Sequence, residues 1–342
     1  MRLHALLVVG VAISFALPAN ASDLTIALQT SGQDRTLVDS RLRQALLQPF
    51  TANSGAAIAQ LTWPGTLDAL NASAGAAAVW DVVELPEALL RPACDQGLLE
   101  KLDWNALGGR DHYLPVAVSD CGVGAYVHSL VLAWSPQKFP GSPTWADFWD
   151  VAKVPGKRAL AKHARDNLEI ALLADGVAPG DIYSTLRTND GVDRAFRKLD
   201  QLRPYLVWWS MDADATRLLR SGDVLMASAP AEQVTPDAPN AAPALAWQWG
   251  GSLYSVTNWA IVKGSAHVAE ANRLLAFAGD PARQPALLPL GSVVKGAAEA
   301  LPPEQRALCP SANLTTALHS DAAFWRDNGA KLEARFSDWL NH

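Results

Sequence analysis

The amino-acid sequence predicts an α/β protein built as two hinged lobes, each a sheet flanked by helices. Strands alternate with helices along most of the chain, an order that makes parallel strands joined by helical crossovers. Two such alternating sets are linked by strand-rich stretches near residues 125 and 255, so the chain crosses between them and later returns. The length of 342 residues, 49% of them apolar and 18% charged, suits two cores at roughly 100 to 200 residues per domain. We assign residues 22–125 with 255–300 to the first lobe and residues 126–254 with 301–342 to the second.

Each element has a local reason. Residues 24–29 alternate as a short strand, and the loop Ser31-Gly32-Gln33-Asp34 leads into a helix over 35–48 with Leu42, Ala45 and Leu46 on one face, stopped by Pro49 and Gly55. Strands are expected at 57–62 and 81–85, and Pro86 opens a helix that Gly97 closes, with proline early and glycine late. After a β-rich run over 122–134, Thr144 caps a helical turn through Trp149, and the turn at 154–158 leads into a strand over 159–162. Asp166 starts an apolar helix that ends at Gly176, and residues 189–202 set Val192, Ala195, Phe196, Leu199 and Leu202 at helical spacing. A strand at 206–209, a helix at 214–220 and a strand at 223–228 complete the second set. Residues 247–262 form the β-rich return, and 267–277 a helix.

With 28 Lys+Arg against 34 Asp+Glu and no basic cluster, the chain is not built to neutralise phosphates, which excludes nucleic acid as a partner. The start reads as a secretory leader. Arg2 is followed by an uncharged apolar stretch over 5–17, and Ala19-Asn20-Ala21 has the small-x-small form that signal peptidase cuts, so residues 1–21 are expected to leave and the mature chain to begin at Ser22. That apolar stretch falls short of the ~20 residues of a spanning helix, and no later run reaches it. The expectation is a periplasmic monomer that is not membrane-embedded. Three cysteines allow three pairings or three separate thiols. In an oxidising compartment the expected bridge joins Cys94 to Cys121, 27 positions apart, and leaves Cys309 alone.

Catalytic signatures are missing. The sequence has no His-Glu-x-x-His, Gly-x-Ser-x-Gly or phosphate-cradling glycine loop, and its seven histidines are scattered, so no metal and no cofactor are expected. One local constellation stands out, His163-Ala164-Arg165-Asp166, where a strand ends and a helix begins. It could meet a charged ligand, or Asp166 could simply cap its helix. Thirteen tryptophans cannot all line a pocket, so most belong to cores; Trp63 and Trp209, at strand ends, are the candidates for a cleft.

Several segments together resemble a known family: Asp81-Val82-Val83, Ser119-Asp120-Cys121-Gly122-Val123-Gly124, Trp145-Ala146-Asp147-Phe148-Trp149-Asp150 with Pro155-Gly156-Lys157-Arg158, Ser221-Gly222-Asp223-Val224, and Trp259-Ala260-Ile261 with Lys263-Gly264. They resemble the extracytoplasmic solute-binding proteins of ABC importers, in particular the spermidine/putrescine-binding type, over essentially the whole mature chain. The resemblance implies a type 2 periplasmic-binding-protein fold with mixed sheets, a small-molecule ligand in the interlobe cleft, permease subunits as partners, and no chemistry on the ligand. It also implies a polyamine or other amine as ligand. The acidic loop of polyamine binders corresponds here to His163-Ala164-Arg165-Asp166, with one carboxylate where two are expected, and the expected Asp before Trp259 is Thr257. Each missing carboxylate leaves a dication less well paired in a dry cleft. The candidate ligand-binding residues are Trp63, Glu84, His163, Asp166, Trp209, Glu232, Tyr254 and Thr257. Two alternatives follow from the same residues: a secreted hydrolase using Asp166 and Glu232 as acid and base, and a sensor or scaffold that has lost its ligand.

Overall fold

The computed structural model describes residues 24–30, 35–75, 78–235 and 244–342; the expected leader and Gln33 lie outside them. The chain begins with β1 (Leu24–Gln29) and a long helical stretch made of α1 (Thr36–Leu42), a π-helical turn (Arg43–Leu47) and α2 (Gln48–Ser54). The helix thus runs past Pro49, which sequence reasoning took as a stop. The wider π turn opens the ladder just before the proline, whose missing N–H and bulky ring would otherwise break an α-helix. Gly55, with φ 74°, ends the stretch in the left-handed conformation that glycine adopts without strain.

There follow β2 (Ile58–Trp63), α3 (Leu67–Ser73), β3 (Val82–Pro86) and α4 (Glu87–Asp95). The second half runs β4 (Val123–Trp134), α5 (Trp145–Trp149), β5 (Arg158–Ala161), α6 (Asn167–Ala174), α7 (Ile182–Leu186), α8 (Asn189–Leu202), β6 (Leu206–Trp209), α9 (Asp212–Ser221), β7 (Met226–Pro230) and α10 (Ala231–Val234). The return strand β8 (Ala246–Ile261) leads to α11 (Val268–Ala278), α12 (Pro303–Arg306), β9 (Leu318–His319) and α13 (Ala322–Asn341). Thr144 caps α5 through a reciprocal capping box with Asp147, as its sequence suggests.

The strands join in the order β2-β1-β3-β8-β4-β7-β5-β6, with β9 beside β8. The flanks are parallel: β1 pairs with β2 and β3, and β5 with β6 and β7. The centre is the antiparallel pair β4 and β8, which pairs Tyr126 with Thr257, His128 with Ser255 and Leu130 with Leu253. Because side chains alternate across a strand, these six share one face.

Two main apolar cores meet on that pair. One gathers Leu24, Ile26, Leu42, Phe50, Val127, Val256, Trp259 and Leu274, with Trp63, Leu70, Val83 and Leu85 forming a smaller cluster beside it. The other gathers Leu130, Val131, Phe148, Leu160, Leu168, Phe196, Trp209, Leu253 and Phe336. Each strand therefore serves one core with one end and the second core with the other. Between them stand His128, Ser129 and Ser255, while Tyr254 packs against the first core. Helix α13 returns to the second core, burying Phe324, Trp325, Leu332 and Phe336. Cys94, in α4, is bridged to Cys121 just before β4, and Cys309 is buried and free. Among the described residues no helix is long and apolar enough to cross a membrane, and no group of His, Cys, Asp and Glu could hold a metal ion.

Candidate functional site

A cavity of about 330 Å³ opens where β4 and β8 pass from one core to the other. Its walls are His128, Leu130, Leu253, Tyr254 and Ser255 from the two strands, His163, Arg165 and Asp166 from the loop after β5, and Ser320 and Glu333 from the C-terminal region. The loop lies at the carboxyl end of a parallel strand, where α/β sheets present ligand-binding groups.

That loop is pinned on every side. Asn167 Nδ2 donates to the carbonyls of Ala161 and His163, each at 2.6 Å. The Glu333 carboxylate of α13 accepts from the Ala164 N–H at 2.9 Å and the Arg165 N–H at 3.2 Å. His163 Nδ1–H donates to the Arg165 carbonyl at 2.8 Å. Inside this frame Asp166 takes φ 68°, the left-handed region, and is alone in doing so among the described non-glycine residues. Such a backbone costs about 1–3 kcal/mol and persists only when its surroundings over-determine it. Asp166 precedes α6 without capping it: its side chain accepts no hydrogen bond from a described residue.

Most other charges here are paired. Glu84 is fully buried and accepts from Arg35 Nη2 at 2.8 Å, the Tyr126 hydroxyl at 2.6 Å and the Gln29 N–H at 3.3 Å. Burial opposes the charge on the Arg35 guanidinium, but Tyr126, Glu84 and Asp39 outweigh it and hold its proton more firmly than in water. Burial and the Glu84 charge keep the Tyr126 hydroxyl protonated far into the alkaline range. His128 Nδ1 lies 3.0 Å from Glu232 Oε1. Burial opposes the charge on this imidazole, but the Glu232 carboxylate outweighs it, with smaller help from Asp212 and Asp166, and its pKa is pushed up to about 9.

Two charges on the cavity wall are left over. The Arg165 guanidinium lies 5.6 Å from the centre of the Trp325 ring, and its buried Nε has no hydrogen-bond partner among the described residues. No described carboxylate pairs with it. Beside it stands the Asp166 carboxylate, equally without a partner. The wall thus offers one free cation and one free anion, from adjacent residues held by a rigid loop.

The residues singled out from the sequence fall into two groups. His163, Asp166 and Tyr254 line the cavity, and Glu232 stands behind His128. Thr257 is half-buried one rung along β8 and hydrogen-bonds the Tyr126 hydroxyl. Trp63 is 1% exposed, packs in its core cluster and donates Nε1–H to the Glu84 carbonyl at 3.0 Å. Trp209 is also buried, within the second core, its ring 6.3 Å from that of His163. Glu84 faces Arg35 and Tyr126. Glu232 is buried, ion-paired with His128 and not among the residues of the cavity wall, unlike Asp166. Sequence reasoning placed Arg165 in the constellation after β5 without giving it a role, and missed Arg35, Tyr126, His128 and Glu333. The polar alternation Tyr126-Val127-His128 inside a strand that crosses between lobes was a usable signal; Glu333, 168 positions from Arg165, had none.

The family of bacterial extracellular solute-binding proteins matches residues 45–305. The chain is 39% identical over 337 residues to the gamma-aminobutyric acid-binding protein of Pseudomonas aeruginosa, covering 96% of this chain and 94% of that one. It is similar to an ABC transporter substrate-binding protein from Bradyrhizobium japonicum, with a TM-score of 0.79, 31% identity, and coverage of 93% of this chain and 99% of the other. It is also similar to the PBP MotA from A. tumefaciens B6 in complex with glucopine, with a TM-score of 0.75, 26% identity, and coverage of 93% and 99%.

Proposed function

The chain belongs to the bacterial extracellular solute-binding protein family, and from this premise we propose that its ligand is a small ω-amino acid zwitterion of the 4-aminobutyrate class. The protein is the solute-binding component of an ABC import system: it captures a small molecule and works with the membrane permease, without altering the cargo. The mixed α/β fold is that of type 2 periplasmic binding proteins.

One observation carries the ligand reading. The cavity wall holds one guanidinium, Arg165, and one carboxylate, Asp166, that have no ion-pair partner among the described residues. A ligand with one carboxylate and one ammonium satisfies both, and each charge-assisted hydrogen bond is roughly twice as strong as a neutral one. A polyamine, with two or more ammonium groups, would leave a positive charge facing Arg165. The similarity to a gamma-aminobutyric acid-binding protein over nearly the full chain supports the same class. His163, Tyr254 and Ser255 complete the wall in this reading, while Trp63, Glu84, Trp209 and Thr257 act as its supports.

Calorimetry of the mature chain against 4-aminobutyrate, putrescine, spermidine and glucose tests it. 4-Aminobutyrate should bind, and Arg165→Gln and Asp166→Asn should each weaken it by about tenfold or more. Tighter binding of putrescine, or no binding of 4-aminobutyrate, would overturn the ligand reading. The family acts outside the cytoplasm, and Ala19-Asn20-Ala21 supports cleavage before Ser22. The intact mass of the exported protein checks that cut.

A further inference from the structure

We propose that His128 sets the ligand's charge class: by holding Glu232 in an ion pair at the cavity wall, it leaves Asp166 as the single carboxylate free to meet an ammonium. The inference rests on the zwitterion reading above and assigns its specificity to a residue outside the Arg165-Asp166 pair.

The geometry is specific. His128 lies on β4 at the crossing between the two cores, and its imidazole both lines the cavity and reaches Glu232 on α10 at 3.0 Å. Glu232 is 4% exposed, so a bare carboxylate there would be a strong attractor for a second cationic group. Helix α1, which carries Asp39, comes against α10 from the other lobe and covers this corner. Glu333 is already spent on the backbone N–H groups of Ala164 and Arg165, and Glu84 on Arg35 and Tyr126. Of the two described carboxylates on the cavity wall, Glu333 is thus engaged and Asp166 is not. The acidic surroundings of His128, formed by Glu232, Asp212 and Asp166, keep the imidazole protonated at neutral pH. A second ammonium would have to displace that imidazolium.

Removing the imidazolium should turn the site toward dications. The test measures dissociation constants for 4-aminobutyrate and putrescine with the wild type, His128→Asn, and the double variant His128→Asn/Glu232→Gln. The wild type should prefer 4-aminobutyrate; His128→Asn should shift the ratio toward putrescine by about tenfold, and the double variant should shift it back. An unchanged ratio in a folded His128→Asn protein that still binds 4-aminobutyrate would overturn this inference and leave the ligand reading intact. A wild type that prefers putrescine would overturn both. Should His128→Asn fail to fold, Glu232→Gln serves instead: the imidazole then loses the carboxylate it is paired with, putrescine should bind more weakly relative to 4-aminobutyrate, and an unchanged ratio or a shift in the opposite direction would overturn the inference.

Discussion

The ring of Tyr254 lies stacked on that of His319, with centroids 4.8 Å apart and planes 19° apart. His319 Nε2 in turn meets Glu87 Oε2 at 3.0 Å. Tyr254 lines the cavity and Glu87 opens α4, so a three-residue chain links the wall to that helix. We expect Glu87→Gln to loosen that wall and weaken 4-aminobutyrate binding about two- to fivefold, the range of a single exposed ion pair. Calorimetry on the variant reads this directly, and an unchanged affinity would show the chain to be ornamental.

Asp166 should trade stability for binding. Asp166→Gly removes the cost of a positive φ and should raise the melting temperature by roughly 2–4 °C in a chain of this size. It also removes a negative charge beside the fully buried Glu169, whose pKa burial and Asp166 together push up to about 7. The same variant should lose its response to 4-aminobutyrate. A thermal-shift comparison with and without ligand measures both effects.

The His128-Glu232 pair predicts an alkaline loss of stability. The imidazole's folded-state pKa, about 9, lies above the ordinary 6.5, so its contribution is complete below pH 6.5 and is lost as pH rises through about 9. The melting temperature of the wild type should fall across that window, and that of His128→Asn should be flatter. Parallel slopes would mean that the pair contributes nothing to folding.

Arg158 tests the second core. It is fully buried, and its guanidinium donates to the carbonyls of Phe148 at 2.8 Å, Gly156 at 2.7 Å and Val154 at 2.6 Å, tying α5 and the following turn to β5. Burial, only partly offset by Asp150, brings its pKa down to about 10. Arg158→Met would strand three carbonyls and should cost about 3–5 kcal/mol, seen as a shift of the urea midpoint.

Much of the architecture is legible in local pattern. The helices at Asn189–Leu202 and Val268–Ala278 follow their apolar spacing, and the β-rich stretches over 122–134 and 247–262 are the strands β4 and β8. The binding wall is less legible, for two reasons. A tryptophan at a strand end such as Trp63 carries the same local signal whether its ring turns to a cleft or into a core, and only the packing of Leu70 and Leu85 around it decides. The partner of a charge is also a long-range fact. Glu232 and Asp166 look alike as isolated carboxylates, yet one is matched by His128, 104 positions away in the chain, and the other by no described residue. Counting carboxylates along the sequence therefore overstates what a ligand can use.

The shared strands bear on how cheaply the two halves can move. Three residues, His128, Ser129 and Ser255, form an isthmus that belongs to neither main core, while Tyr254 beside them packs against the first, and the backbone ladder across it stays paired. Paired strands carry a twist that varies widely from sheet to sheet, and a change in that twist turns one half against the other about the strand pair. Rotation about one axis is then the soft coordinate, and ordering it costs little entropy. A guest of only a few heavy atoms, wedged beside the axis, has the leverage to tip that equilibrium and report its presence at the distant rims.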